Sequence, residues 1–167
     1  MNELKIRVVS PSDATAIASI YRYYVENTTV TFNEETPTDD ETRETIVRIS
    51  QTWPYFVAEI DGEVVGYCYV HPWKEKEAYK STLETTIYIR HGLTSCGVGR
   101  RLMSCLIDEC KAMGSVHALI ACVTAENEGS RRFHASLGFE EVSLFREVGF
   151  KLGRYLDVVD MELILDS

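Results

Sequence analysis

The sequence lacks three features that would define other classes of protein. It has no hydrophobic run approaching the roughly 20 residues of a membrane-spanning helix, and its first ten residues contain no apolar signal core. Basic residues are also scarce, with 17 Lys and Arg against 26 Asp and Glu and a net charge of −9. Because no basic stripe is available to replace phosphate counterions, we expect neither nucleic acid nor a membrane surface as a partner.

Cysteine pairs and histidine clusters are absent as well. The five cysteines include no C-x-x-C pair and their number is odd, so we predict reduced core thiols in a cytoplasmic protein. The four histidines lie far apart without ligand spacing, which predicts that the protein has no metal site. The cysteines are Cys68, Cys96, Cys105, Cys110 and Cys122, and the histidines are His71, His91, His117 and His134.

The residues that are present predict a single α/β domain. A chain of 167 residues with 45% hydrophobic residues can bury one core, so we expect one domain over residues 1–167. Apolar periodicity gives the element order β-α-α-β-β-β-α-β-α-β-β. This order predicts a three-layer α/β/α sandwich around one mixed, mostly antiparallel sheet. The predicted strands cover residues 4–9, 55–60, 63–70, 81–89, 116–122, 139–145 and 154–165, and the helices begin near residues 12, 38, 98 and 130.

Two local signals specify how elements begin and connect. Asp61-Gly62 lies between two apolar runs, a pattern typical of a two-residue β-hairpin. Ser12 or Asp13 follows Pro11 and precedes an apolar helical stripe, so one of these two side chains is predicted to cap the first helix.

The segment RHGLTSCGVGRRLM, residues 90–103, joins an apolar strand to an amphipathic helix. Gly97 and Gly99 allow an anion to approach the main chain closely, and the unpaired N–H groups of a helix start would bind a pyrophosphate. An ordinary turn is the alternative, because the two common nucleotide-binding fingerprints fail. Arg100-Arg101 replaces the Lys-Ser/Thr of a Walker loop, and the third glycine of a Rossmann loop is missing.

The surrounding residues resemble known acetyltransferases. SCGVGRRLM after an apolar strand resembles motif A of the GNAT acetyltransferases, Q/R-x-x-G-x-G/A, which holds the pyrophosphate of acetyl-CoA. NEGSRRFHASLGFEEV resembles the second signature of that superfamily. The resemblance narrows to the phosphinothricin N-acetyltransferase family and extends from about Tyr21 to Leu165. It is carried by YRYYVENTTVTFNEE, WPYFVAEIDGEVVGYCYVHPWKEKEAY, LETTIYI and VGFKLGRYLDVVDMEL.

The resemblance implies roles for particular residues. Acetyl-CoA would be the acetyl donor, a small-molecule amine the acceptor, and the protein a homodimer. Glu84 matches the catalytic carboxylate of the family, and Asn127 would contact the coenzyme near its pantetheine or thioester end. Main-chain groups of Ile87, Tyr88 and Ile89 would bind the pantetheine arm, and Thr94, Ser95, Cys96, Gly97, Val98 and Gly99 would form the pyrophosphate turn.

Physical reasoning leaves alternatives open for two of these side chains. Glu84 projects from the face of its strand opposite the apolar residues. This position suits a base beside the coenzyme, but it is also typical of a solvated strand glutamate. The resemblance favours the catalytic interpretation. His134 lies in the short predicted helix that ends at Leu137-Gly138-Phe139. It could protonate the departing thiolate or touch the substrate, or it could be a polar residue whose hydrogen bonds are made within the helix.

The acceptor side of the site is predicted less directly. Phe32, Trp73 and Tyr79 could wall a substrate pocket, although an aromatic side chain is more often part of the core. Lys76 stands where the family commonly has an arginine thought to bind the acidic end of the substrate. Lys151 is expected to fix the last hairpin, and it could also meet an anionic substrate.

The turn also departs from the family pattern. Thr94, Ser95 and Cys96 are uncharged where the family has Gln or Arg and often a further basic residue. Arg100 or Arg101 is therefore the hypothetical source of the missing positive charge.

Taken together, the residues and the family resemblance predict an acetyl-CoA-dependent N-acetyltransferase without a metal. The acceptor would be the α-amine of a small amino acid or of a glutamate-like inhibitor such as phosphinothricin or methionine sulfoximine. Two alternatives stay open: a non-catalytic module that binds acyl-CoA, and an acetyltransferase that acts on peptide or protein amines.

Overall fold

A computed structural model describes residues 2–166 of the chain. The elements follow the predicted order, and two 3-10 turns over Pro11–Asp13 and Glu77–Tyr79 accompany them. The strands are β1 (Leu4–Val8), β2 (Tyr55–Ile60), β3 (Glu63–Pro72), β4 (Thr82–Ile89), β5 (Ala118–Thr124), β6 (Glu140–Lys151) and β7 (Arg154–Ile164). The helices are α1 (Ala14–Asn27), α2 (Asp39–Ser50), α3 (Val98–Met113) and α4 (Glu128–Ser136).

All seven strands form one sheet in the order β1-β2-β3-β4-β5-β7-β6. Five of the six strand pairs are antiparallel, and β4 with β5 is the parallel pair. That parallel pairing covers only three positions, from Thr82 beside Ala118 to Glu84 beside Ile120. The remaining five residues of β4 are paired with β3 alone, so the sheet is open between β4 and β5 beyond Glu84.

Helices cover both faces of this sheet. On one face α1 and α2 pack against β2 and β3 around Ile17, Ile46 and Val57. On the other face α3 contributes Leu102 and Leu106 to the larger of the two cores. The predicted three-layer sandwich around a mixed, mostly antiparallel sheet is confirmed. Within residues 2–166, no helix combines the length and the apolar character that crossing a bilayer requires.

The start of the first helix differs from the prediction. Asp13 is the N-cap residue of α1, but its side chain makes no capping hydrogen bond to that helix. The Ser10 side chain caps the preceding 3-10 turn instead, where it accepts from the Ser12 amide. The Asp13 carboxylate instead turns back to accept from the Ser10 amide and from both terminal nitrogens of Arg7. Pro11 cannot donate a main-chain hydrogen bond, and because a 3-10 turn begins there, the side-chain cap lies at Ser10, upstream of both predicted residues.

Two further expectations need correction. Cys96 and Cys122 are exposed and are not core thiols, whereas Cys68 and Cys110 are buried as predicted. Strand β6 continues six residues beyond the predicted end at 145 because an irregularity between Phe145 and Gly149 lets the pairing with β7 resume. Asp157 holds this irregularity by accepting a hydrogen bond from the Glu147 amide at 2.8 Å.

Candidate active site

The main-chain N–H and C=O groups of successive β4 residues point alternately toward β3 and toward β5. The Thr82 carbonyl accepts from the Trp73 amide at 3.3 Å on the β3 side, and the Ser81 carbonyl accepts from the His117 amide at 2.8 Å on the β5 side. Successive residues of a strand direct their N–H and C=O groups to opposite neighbours. Even-numbered residues of β4 therefore bond toward β3, and odd-numbered residues point toward β5.

The open side of β4 consequently presents the main chain of Ile87 and Ile89. These residues lie beyond Glu84, where β5 no longer pairs with β4. The Tyr24 hydroxyl from α1 donates to the Ile89 carbonyl, which leaves the Ile87 groups facing the gap. Tyr88 also lines the gap, but its main-chain groups point toward β3, which disfavours the predicted main-chain contact with the pantetheine arm. A free strand edge of this kind can pair with an extended amide-containing chain.

The N-terminus of α3 opens into the same gap. Gly97 is the N-cap residue, has φ of 79°, and provides no side-chain hydrogen bond to the helix. The starts of α2 and α4 are by contrast capped by the side chains of Thr38 and Asn127. The first-turn N–H groups of this 16-residue helix thus have no side-chain cap, and the helix dipole favours an anion there.

The turn residues divide into those that face the gap and those that do not. Thr94, Ser95 and Gly99 line it, whereas Val98 is 1% exposed and packs into the core, so Val98 can contribute only its main chain. Cys96 is exposed at the outer side of the turn.

The two arginines that follow the turn are bonded elsewhere. Arg100 donates to the Ser136 hydroxyl at 2.7 Å, and Arg101 donates to the Leu4 carbonyl of β1 at 2.9 Å. Neither side chain lines the gap. The hypothesis that one of them replaces the missing charge therefore requires a side chain to leave its present partner.

A cavity of about 500 Å³ fills the gap between β4 and β5. Its walls come from β4, the turn before α3, β5 and α4, with Tyr24 and Val30 on the α1 side. It brings together nine of the residues predicted for catalysis and coenzyme binding: Glu84, Ile87, Tyr88, Ile89, Thr94, Ser95, Gly99, Asn127 and His134.

Glu84 lies at the point where the two strands separate. Its side chain is 30% exposed, and its Oε2 atom is 3.9 Å from Nε2 of His71 on β3. Burial raises the pKa of Glu84, the charge of His71 opposes this rise, and Asp160 on β7 adds to it. A carboxylate with a raised pKa is a better base near neutral pH, so this position suits proton abstraction.

His134 is buried in the cavity wall, with 3% exposure. Its Nδ1 atom lies 2.8 Å from the Ser130 carbonyl, which can only accept, so Nδ1 carries the proton. Burial lowers the pKa of His134, and the bond to Ser130 only partly offsets this effect. The neutral ring can accept at Nε2 but has no proton to give there, which disfavours the role of acid. A contact of His134 with substrate stays a prediction.

Asn127 uses its side-chain oxygen to accept from the Ser130 amide at 3.1 Å and so caps α4. The side-chain NH2 group is therefore the part of Asn127 that can donate to a ligand in the cavity. Its predicted contact with the coenzyme agrees with this placement and stays a prediction.

The predicted acceptor-side residues lie outside the cavity wall. Trp73 and Tyr79 pack edge to face with ring centroids 5.3 Å apart, and the Lys74 ammonium lies 4.2 Å from the Trp73 ring centroid. Lys76 precedes the 3-10 turn of the same loop. The Trp73 amide bonds to Thr82, so this loop begins beside the end of β4 that carries Glu84.

Phe32 and Lys151 make separate contacts outside the cavity wall. Lys151 is buried and donates to the Thr31 carbonyl at 2.7 Å, and burial lowers its pKa. Phe32 lies against Gly149, where any β-carbon would fall 2.3 Å from its ring. Lys151 therefore fixes the last hairpin, as expected, and its ammonium is not directed into the cavity.

Sequence reasoning missed two groups in the site. Tyr24 belongs to the apolar stripe of α1, and nothing in that stripe indicates a hydroxyl that reaches β4. Cys122 was predicted as a core thiol, yet it lines the cavity from β5, opposite Asp160 of β7. Its place beside Glu84 depends on the register of β4 with β5, which no local pattern encodes.

An uncapped helix start, an open strand edge and a carboxylate with a raised pKa surround one cavity, an arrangement that suits an extended anionic ligand with a proton acceptor beside it. Residues 6–159 match the family model described as an acetyltransferase (GNAT) domain. The chain therefore belongs to the GNAT acetyltransferase family and is an acetyl-CoA-dependent N-acetyltransferase.

Individual relatives are similar over nearly the whole chain. A phosphinothricin N-acetyltransferase of Alcaligenes faecalis is 38% identical over 97% of this chain and 83% of its own length. An L-methionine sulfoximine/L-methionine sulfone acetyltransferase of Salmonella typhimurium is 34% identical over 98% of this chain and 96% of its own. The solved structure of yncA from Salmonella typhimurium, with its cofactor acetyl-CoA, superposes with a TM-score of 0.95 at 32% identity, covering 99% of this chain and 95% of that one.

The glycine at the start of α3 yields a test of the anion site. Gly97→Ala places a β-carbon on a residue with φ of 79°, which costs about 1–2 kcal/mol. We expect lower thermal stability and, because the helix start must shift, an acetyl-CoA Kd raised roughly tenfold, equivalent to about 1.4 kcal/mol. Differential scanning calorimetry and isothermal titration calorimetry measure the two effects.

Gly114→Ala is the matched control. Gly114 ends the same helix with φ of 70°, and a β-carbon there also meets open space. This variant should lose similar stability while its acetyl-CoA Kd stays that of the wild type. Equal acetyl-CoA affinities for the two variants would contradict the placement of the anion site.

Proposed function

We propose that this protein transfers the acetyl group of acetyl-CoA to the α-amine of a small amino acid or of a glutamate-like inhibitor. The observation that carries the proposal is that the free helix start, the open edge of β4 and Glu84 surround one cavity. The named substrates of its relatives, phosphinothricin and methionine sulfoximine or sulfone, support an acceptor of this class.

The donor half of the cavity fits the coenzyme by its chemistry. Main-chain N–H groups at Gly97, Val98 and Gly99 would hold the diphosphate, and the free main chain of Ile87 would pair with the amides of the pantetheine arm. Acetyl-CoA supplies a thioester whose carbonyl carbon accepts the amine. Glu84 lies on the same strand three residues before Ile87, so the extended arm would end near the carboxylate.

Glu84 acts as the base in this proposal. An amino-acid ammonium cannot attack a carbonyl until it loses a proton, and the half-buried carboxylate takes that proton directly or through water. A main-chain N–H beside the split in the sheet would stabilise the developing oxyanion. No metal takes part in these steps.

The loop over residues 72–79 would hold the acceptor. It begins next to Glu84 and carries Lys74 and Lys76, which are cations suited to an acidic side chain, beside the aromatic pair of Trp73 and Tyr79. Lysine offers a point charge without the two-pronged geometry of arginine, so a small anion or zwitterion is the matching ligand. Phe32 would complete the wall from the α1 side.

We also infer a cytoplasmic homodimer. All five cysteines are free thiols, which agrees with a reducing compartment. Strand β6 forms one edge of the sheet and, with β7, exposes an apolar surface that a second copy of the chain would cover. This surface consists of Val142, Leu144, Phe145, Val148, Phe150, Leu152 and Tyr155, each about half or more exposed.

Charge introduced into this surface should separate the copies. Leu144→Lys alters a side chain that is 58% exposed, so the fold is retained while a buried charge would disrupt the interface. Sedimentation velocity should give a dimer for the wild type and a monomer for the variant. Val8→Lys, at a 64% exposed residue on the opposite edge strand β1, should remain dimeric. A monomeric wild type at micromolar concentration would refute the dimer.

The base assignment predicts the effect of removing one carboxylate. Glu84→Gln keeps the size of the side chain but removes the proton acceptor, so kcat should fall roughly 10²–10⁴-fold. The acetyl-CoA Kd should not change, because the helix start is untouched. Glu140→Gln, on the exposed start of β6, should retain normal turnover. Turnover of Glu84→Gln within threefold of wild type would refute the assignment.

An acceptor panel tests the activity itself. Release of coenzyme A thiol is followed with phosphinothricin, methionine sulfoximine, methionine sulfone, the common amino acids and a set of amine-bearing peptides. We expect thiol release with free amino acids and little with peptides. Activity confined to peptides, or acetyl-CoA binding without release in any mixture, would replace the proposal by one of the two alternative functions.

A further inference from the structure

Glu84 has a titratable partner directly across the sheet. The register of β3 with β4 pairs His71 with Glu84, and both side chains project from the α1 face, as do Tyr69 and Tyr88. The Nε2 atom of His71 lies 3.9 Å from Oε2 of Glu84. That distance exceeds a direct hydrogen bond and is within the range of an ion pair with a protonated imidazole.

The orientation of the His71 ring is fixed by its other nitrogen. Nδ1 lies 3.0 Å from the Pro72 carbonyl, which can only accept, so Nδ1 carries a proton. In the neutral ring Nε2 is then an acceptor that faces a second acceptor, the Glu84 carboxylate. One proton placed between Nε2 and Oε2 turns this unfavourable approach into an attraction. The pair is therefore arranged to hold one proton.

The reaction requires a group that takes such a proton. The acceptor enters as an ammonium, forms the N–C bond to the acetyl carbonyl carbon and ends as an amide, so its nitrogen loses two protons. The C–S bond breaks and the sulfur keeps one proton as the thiol. The second proton must leave Glu84 for water before the next turnover. His71 stands on the outer side of Glu84 with a side chain that is 34% exposed, and it does not line the cavity.

We propose that His71 is a positioning residue that works through Glu84: it stabilises the Glu84 carboxylate when protonated and passes the abstracted proton to solvent. The inference rests on the proposed role of Glu84 as base. It assigns a function to a β3 side chain that contacts neither the coenzyme turn nor the cavity.

The groups around the pair determine the expected pH dependence. Glu84 faces His71 on β3, Cys122 on β5 and Asp160 on β7, and Tyr69 lies beside His71 with ring centroids 6.1 Å apart. Burial and Asp160 raise the pKa of Glu84, and among these groups only His71 lowers it. Loss of the imidazole should therefore raise the pKa of Glu84 further and protonate the base at a higher pH.

The test is the pH profile of kcat for His71→Asn with a saturating amino-acid acceptor. We expect the acid limb of the kcat profile to move up by about one pH unit, because an opposite charge within 4–6 Å of the carboxylate is lost. At the pH of the wild-type acid limb, kcat should therefore fall roughly tenfold. The alkaline plateau should change much less. Added imidazole should partly restore the rate of His71→Ala, while the KM for acetyl-CoA remains that of the wild type.

Control variants separate the possible results. His117→Asn alters an exposed histidine away from Glu84 and should leave the profile unchanged. His71→Gln repeats the test if His71→Asn folds poorly. An unchanged acid limb, or a raised acceptor KM without imidazole rescue, would overturn the inference. If Glu84→Gln is active, the assignment of Glu84 as the base has failed. If Glu84→Gln is inactive but the His71 variants behave as the wild type, only the role of His71 has failed.

Discussion

The short parallel contact between β4 and β5 is the constraint on which the rest of the structure depends. Pairing stops after Glu84, so β4 continues with one edge free of any strand. A free edge inside a sheet would normally be costly, because unpaired main-chain groups lose water without gaining a partner. Here the Tyr24 hydroxyl satisfies the Ile89 carbonyl, and a cavity leaves the remaining groups open to a ligand. The separation of two strands therefore creates the binding site.

The chemistry follows from where the separation begins. Glu84 is the last residue of β4 that pairs with β5, and so the carboxylate lies at the apex of the gap, half-buried, where its pKa is raised. The uncapped start of α3 at Gly97 lies at the wide end of the same gap. One end of the cavity thus favours an anion, and the other end holds a carboxylate suited to accept a proton. An extended coenzyme with a charged diphosphate and a neutral thioester matches this polarity, although the net charge of the protein is −9.

Local patterns were sufficient for the elements and for part of the site. Asp61-Gly62 specified its hairpin, and glycine spacing placed the turn before α3, because these signals act over a few residues. Three features could not be predicted, because each depends on how segments far apart in sequence align. They are the strand order, the pairing of His71 with Glu84, and the hydrogen bond from Tyr24 to β4. The resemblance to acetyltransferases made Glu84 the candidate catalytic carboxylate, whereas strand parity alone would leave it as a solvated glutamate.

A crystal structure of the protein with acetyl-CoA tests the central claim most directly. The diphosphate should accept hydrogen bonds from the main-chain N–H groups at Gly97, Val98 and Gly99. The pantetheine arm should run along β4 beside Ile87, with the thioester carbon near Glu84. A coenzyme bound outside the gap between β4 and β5, or bound there with its thioester at the end remote from Glu84, would contradict the claim that the separation of these strands forms the active site.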